Sequence, residues 1–440
     1  FKNVGLFKKS KWFGLLKDFN INLGPKLLGF NTDIQRSYSE NLIRSNFANI
    51  TRPQVTKNFN WVRTYDFKYD LNRNLQFNFN AVNNAIIGEP EVMGPNEIAI
   101  VNRELFADEH AIFRDSVMQS IRSFGTNMNY QHSMNVTLTL PTSQIPITDW
   151  ITVNGRYATS YNWQRAPLSQ DTLGNTIQNS RNVSVNGQLN FVQLYNKIPY
   201  LRKLNQNSSR RNQVVGRRPQ QPVRPNQEEE KDSTENDKKK FKFPIGDHFL
   251  RLLMSIRNVS FTFSTNDGLL LPGYAPGTQY LGMNNFDSPG FGFIAGQQNT
   301  DLFGRETGRN YAFEAAANGW LIDSTYSRYI NAQYTINHNQ TFNARGTIEP
   351  FKGLRIDLTM DRQETRNNTS NFRWSTTEGD YTAQNEMMTG MLSYSTVAWQ
   401  TSFEQIDNVT YNAPSFDRLK DARAEVSAIL SGENPNSNGT

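Results

Sequence analysis

From Phe59 to Leu71 the side chains alternate. Phe59, Trp61, Tyr65, Phe67, Tyr69 and Leu71 share one parity, interrupted only by Arg63, and Asn60, Thr64, Asp66, Lys68 and Asp70 lie between them. A period of two puts the two sets on opposite faces of a strand, one apolar and one wet. The link Leu71–Leu75 reverses the chain, and Leu75, Phe77, Phe79 and Ala81 resume the alternation against Gln76, Asn78 and Asn80. That pattern predicts a hairpin. At about 3.3 Å per residue, strands of about thirteen residues tilted near 45° cross about 30 Å, the depth of a bilayer's hydrocarbon core.

Only 37% of the 440 residues are hydrophobic and the mean hydropathy is −0.65, yet aromatics reach 12%, with 29 Phe and 17 Tyr. Disordered chains are poor in aromatics, so this one is expected to fold, and a polar average with many aromatics suits alternating surfaces. No run of about 18 apolar residues occurs, which excludes helical membrane spans but not strand spans, whose alternation hides from hydropathy averages. Zero cysteines exclude disulfides and thiolate metal sites. The chain begins at Phe1 and ends at Thr440 without an apolar final strand, and is read as an excerpt of a longer protein.

The net charge of +6 is local. Arg202, Lys203, Arg210, Arg211, Arg217, Arg218 and Arg224 follow one another without an acid, and an acidic then lysine-rich run extends from Glu228 to Lys240. No aromatic lies between Asn205 and Lys240, so platforms for stacking bases are missing. No nucleic-acid partner is expected, and residues 205–242 read as a charged, disordered, periplasmic linker.

Further alternation at Leu28–Tyr38, Met128–Leu140, Ile151–Trp163, Val183–Phe191, Val259–Phe263, Ile330–Ile348, Leu354–Met360 and Met391–Trp399 brings the expected total to about ten long strands. Helical spacing appears at Phe113, Val117, Ile121 and Phe124, at Leu194–Leu204, at Phe249–Met254, and at Phe416, Leu419, Val426 and Leu430 after Ser415. Short turns (Leu71–Leu75, Pro141–Pro146, Glu349–Gly353) alternate with long loops, as in outer-membrane barrels, whose short turns face the periplasm. The expected fold is all-β: an antiparallel transmembrane β-barrel segment, part of a much larger barrel, with short helices in its loops and turns. Barrel strands would occupy 1–204 and 243–400, the latter with a Gly/Pro-rich loop over 266–324, and an amphipathic helix and polar end would occupy 401–440. A soluble β-sandwich accounts for any one strand, but sandwich strands average about five or six residues.

Chemistry is sparse. His110, His132, His248 and His338 never fall at metal-binding spacing, and Gly290, Gly292 and Gly296 lack the strand–loop–helix setting of a dinucleotide site. No catalytic residue, cofactor or metal is expected, and the chain is not expected to be an enzyme. The polar rows supply candidate pore-lining residues: Asn60, Thr64, Asp66, Asn78, Asn80, Asn127, Asn129, Asn154 and Asn162. Tyr274, Tyr280, Phe291 and Phe293 are too many aromatics for an idle loop and mark a cap or partner contact. Arg63, a cation on an apolar face, costs about 2–4 kcal/mol against lipid at mid-depth. It is expected to snorkel or to meet a protein neighbour on the outer wall.

The strings NFNWVRTYDFKYDL from Asn58, NNAIIGEPE from Asn83, ITDWITVNGRYATSYNW from Ile147 and GQLNFVQLYNKIPYLRKLN from Gly187 resemble the SprA (Sov) family, the outer-membrane translocons of the Bacteroidetes type IX secretion system. So do LRLLMSIRNVSFTFS from Leu250, LLPGYAPGTQYLGMN from Leu270, PGFGFIAGQQ from Pro289 and TIEPFKGLRIDLTMDR from Thr347. The resemblance implies a bacterial outer-membrane barrel through which folded cargo bearing a type IX C-terminal signal domain passes to the cell surface, leaving by a lateral opening. It also implies a PorV-type small barrel and a periplasmic plug protein as partners, contact with outer membrane lipid, and support of gliding motility in gliding species. Alternatives are a TonB-dependent nutrient receptor barrel and a soluble surface β-protein adhesin.

Overall fold

The computed structural model describes residues 21–41, 54–89, 107–145, 147–202, 254–351, 353–395, 404–406, 408, 410 and 413–433. The linker at 205–242, the segment Phe7–Trp12 and most of the entry Phe249–Met254 lie outside them. The chain divides into two compact units, Phe1–Ser393 and Tyr394–Thr440. In the second, the helix Pro414–Glu433 begins where the Glu404 carboxylate accepts the backbone N–H of Ser415 at 3.1 Å.

The first unit is one open antiparallel sheet of ten strands in sequence order. They are β1 (Leu27–Asn41), β2 (Gln54–Asp70), β3 (Leu75–Ile86), β4 (Thr126–Thr139), β5 (Ile151–Gln164), β6 (Asn175–Asn190), β7 (Ile256–Tyr274), β8 (Tyr334–Phe351), β9 (Leu354–Ser375) and β10 (Asp380–Tyr394). No described helix is long and apolar enough to cross a membrane, which says nothing about crossing by strands. A meander of this kind gathers alternate connections at one end: the turns after β2, β4 and β8 and the connection from β6 to β7.

Several expected boundaries move, among them β9, which runs to Ser375 although the apolar alternation ends at Met360. β7 continues through Asn266–Tyr274, where Gly268, Pro272 and Gly273 suggest a loop. Leu269 and Leu271 hold the strand because they alternate inward and pair with Asn179 and Ile177. β6 starts at Asn175 rather than Val183, because neighbouring strands supply ladder partners that polar residues use as well as apolar ones. β10 spans Asp380–Tyr394, where a strand over Met391–Trp399 is expected, residues 396–399 lying outside the described ones.

Register turns the alternation into two continuous faces. One is mostly polar, as in the row Asn154–Asn186–Thr262–Asn343, with Val62, Val82, Ala158 and Leu270 among its apolar exceptions. The other carries an apolar belt at the short-turn end, as in the row Ile151–Leu189–Val259–Gly346–Leu358. Belt side chains such as Leu138, Leu140, Ile356, Leu358 and Met360 are exposed.

Going up each strand from the short turns, the belt ends at the last apolar residue before a polar one. These ends are Met360 on β9, Phe342 on β8, Phe263 on β7, Val183 on β6, Tyr157 on β5, Met134 on β4, Ala81 on β3 and Tyr65 on β2. Followed through the register, the edge climbs four cross-strand rows in the seven steps from β9 to β2. With two residues per row at about 3.3 Å each and strands about 4.8 Å apart, the strands lean about 40° from the normal to the belt edge.

Above the belt, the segment 275–333 folds back over the same face as a cover, with short helices Phe291–Ile294, Tyr311–Ala317 and Ser324–Ser327. The core lies in that seam: Tyr130, Tyr161, Trp163, Ile177, Leu269 and Leu271 from the sheet against Met283, Phe293, Ile294, Tyr311, Ala312 and Ala315 from the cover.

Candidate functional site

The polar face collects most of the residues singled out as pore-lining. Asn60, Thr64 and Asp66 on β2, Asn78 and Asn80 on β3, Asn129 on β4, and Asn154 and Asn162 on β5 point to one side. The register extends the row to Asn182, Ser184 and Asn186 on β6 and to Thr341 and Asn343 on β8. Many of these polar groups bond along the wall, as in Asn80 Nδ2 to Asp66 Oδ1 at 2.7 Å and Arg156 Nε to Asn135 Oδ1 at 3.1 Å. Among the described residues no group of three or more His, Cys, Asp or Glu is placed to hold a metal ion.

Asn127 departs from that row. A bulge pairs Asn84 with Asn129 but Ala85 with Asn127, so one extra β4 residue is passed over and Asn127 turns to the opposite face. There it accepts from Arg63 Nη2 at 2.9 Å and donates to Thr278 O at 2.8 Å.

Arg63 is also not where the alternation suggested. It lies one row above the belt edge rather than within the belt, and the chain itself covers it. Its guanidinium sits 5.0 Å from the Trp61 ring and 5.6 Å from the Phe124 ring. Each such contact contributes about 0.5–2 kcal/mol to offset desolvation of the cation.

The cap aromatics split into two pairs. Tyr274 and Phe293 are buried in the seam, with Phe293 stacked on Tyr311 at 4.1 Å. Tyr280 and Phe291 are exposed, and Tyr280 stacks on Phe286 at 5.6 Å. Tyr274 closes β7 itself, so of the three of these aromatics that lie on the cover only Phe293 docks on the sheet.

The cover is irregular backbone pressed on a wall, so its carbonyls need donors, and the sheet supplies them from side chains. Trp163 Nε1 donates to Pro276 O at 3.1 Å, Tyr161 Oη to Gly282 O at 2.9 Å, and His132 Nε2 to Ile294 O at 3.0 Å. Asn179 Nδ2 donates to Phe293 O at 2.8 Å and Gln297 O at 2.9 Å, and Tyr157 Oη to Ala295 O at 2.7 Å. Arg181 Nη2 reaches Thr300 O and Asp301 O, and Gln340 Nε2 reaches Leu302 O at 3.2 Å. Arg181 is neutralised by Asp267, whose other oxygen accepts from His338 Nδ1. Two of the scattered histidines thus serve the seam.

On the cover itself, burial pushes the Tyr311 phenol up, and it donates to Pro289 O at 2.8 Å. The Asp301 carboxyl is held below its ordinary value by the backbone N–H of Arg305, then that of Phe303, with Arg305 and Arg181 nearby. Close approach demands glycine at Gly282: its φ is +85°, and a Cβ there would stand 2.4 Å from the Tyr161 ring.

The sequence did not disclose Asn179, Arg181, Asp267 or Gln340 as seam residues. The available signal was polar residues on the apolar parity of three adjacent strands, legible only once register aligns them.

A scan against protein-family models finds no match for this chain, and neither does a search of curated proteins.

Proposed function

We propose that this chain is one arc of the wall of a large outer-membrane β-barrel that conducts folded proteins, of the SprA (Sov) kind. The observation that carries the reading is the slant of the apolar belt. Lipid imposes a level boundary on a barrel whose strands tilt by about 35–45°, so the apolar edge must climb from strand to strand. The climb of about 40° has the size that this requires. A sheet whose apolar face packs on a second sheet has no such level boundary to obey.

The belt then faces lipid, the polar face lines the lumen, and the turns after β2, β4 and β8 lie on the periplasmic side. A lumen of amides and hydroxyls stays wet and offers cargo no continuous apolar surface to bind, so passage is passive and the driving energy comes from elsewhere in the secretion machine. The resemblance to the SprA family adds cargo with type IX C-terminal signal domains, a PorV-type small barrel and a periplasmic plug protein as partners, and support of gliding motility.

These 440 residues hold no cysteine, so single cysteines placed in them report cleanly once any cysteine elsewhere in the full-length protein is replaced by serine. Fluorophores at Leu138, Val185 and Leu358 of the full-length protein in vesicles are expected to be quenched by spin-labelled lipid, whereas those at Asn154, Thr262 and Asn343 are not. Equal quenching of both sets would overturn the membrane reading. Photo-crosslinkers at Asn154 and Asn343 in secreting cells are expected to capture signal-domain cargo; their failure would remove the translocon and leave the barrel.

A further inference from the structure

Where β2, β3 and β4 meet the cover, a buried cation lacks a counter-ion among the described residues. Arg63 is 5% exposed, and no carboxylate among the described residues pairs with it. One of its nitrogens, Nη2, donates to Asn127, while Nε has no partner. Its cross-strand neighbour Asn83 is 8% exposed, and the Asn83 Oδ1 receives no donor. Both line a cavity of about 960 Å³ bounded by Trp163, Asn175, Thr278 and Tyr280.

Two carboxylates also line the cavity, but each is engaged elsewhere. Asp171 faces Arg165 at 3.5 Å, and Asp323 accepts the backbone N–H of Thr325 at 2.7 Å. The unmet demands are therefore an anion for Arg63 and a hydroxyl-type donor for Asn83. The volume falls in the range of pockets that hold small molecules, and Tyr280, exposed where it lines the cavity, supplies an aromatic ring for the C–H side of a pyranose.

We propose that this cavity binds a phosphorylated sugar, its phosphate on Arg63 and an adjacent hydroxyl on Asn83. A guanidinium donates to phosphate oxygens in a planar fork, which suits this anion well. The sugar phosphate is either soluble or the headgroup of a glycolipid. The glycolipid source rests on the membrane reading, since Arg63 stands one row above the belt edge; the anion site does not.

The test uses the full-length protein in detergent, titrated with glucose 1-phosphate and, separately, with mixed micelles containing monophosphoryl lipid A, followed by tryptophan fluorescence and thermophoresis. Saturable binding of at least one probe is expected, with unphosphorylated glucose inert. Arg63→Gln is expected to weaken binding at least tenfold. Asn83→Asp keeps the shape and gives Arg63 an internal counter-ion, so it is expected to fold as well as the parent and lose binding by a similar factor. Binding of the lipid probe alone identifies the headgroup as the source; binding of glucose 1-phosphate identifies a soluble one. No saturable binding of either probe, or parent-like binding by Asn83→Asp, overturns the proposal and leaves the lipid-quenching result untouched.

Discussion

Arg181 and Asp267 face each other across β6 and β7, Nη2 to Oδ2 at 2.7 Å and Nε to Oδ2 at 3.0 Å, with Asp267 1% exposed. The pair sits in the seam, and Arg181 passes its remaining donors to the cover at Thr300 and Asp301. Removing one partner strands the other charge in a dry site, which costs about 3–5 kcal/mol. Asp267→Asn is therefore expected to loosen the cover by about that amount, read as faster proteolysis within 275–333.

The belt makes a prediction that depends on a single residue step. Leu358→Lys places a cation on the apolar face, where insertion costs about 2–4 kcal/mol at mid-depth. Thr359→Lys, one residue along, places it on the polar face. Insertion into vesicles, measured by denaturant titration, is expected to suffer from the first change and to be nearly unaffected by the second.

Gly282 seats the cover on Tyr130 and Tyr161. Gly282→Ala combines a Cβ clash with a φ that L residues rarely adopt, so it is expected to lift the cover by more than about 1 kcal/mol. Hydrogen exchange at Gly282 and Met283 should accelerate while the β1–β2 ladder stays protected.

Acid should loosen the turn at Asp301. Its folded pKa is depressed below 3.8, so its contribution is complete above that value and is lost as pH falls through the lower, folded value. Proteolytic nicking at 301–306 is expected to rise in that acid window in the parent. In Asp301→Asn the pH dependence should vanish. An acid-tolerant protease such as pepsin provides the measurement.

Period-two alternation requires no knowledge of neighbours, so the hairpins, their short turns and the polar rows through Asn60, Asn78 and Asn154 were legible in the chain. The helix Ala107–Arg122 was legible too, from Phe113, Val117 and Ile121. The bulge that turns Asn127 over was not, because a bulge is a property of two strands in register and leaves little trace in one of them. The same holds for β7 beyond Asn266: Gly268 and Pro272 suggest a break, and only pairing with β6 and packing under the cover overrule them.

The sequence by itself determined the strands and their two faces, since side-chain parity follows from backbone geometry alone. Tertiary structure decided the slant of the belt, the position of Arg63 above its edge and the seating of the cover on His132, Asn179 and Arg181. Each of these depends on register, which sums small offsets across many strands and brings together residues more than a hundred positions apart.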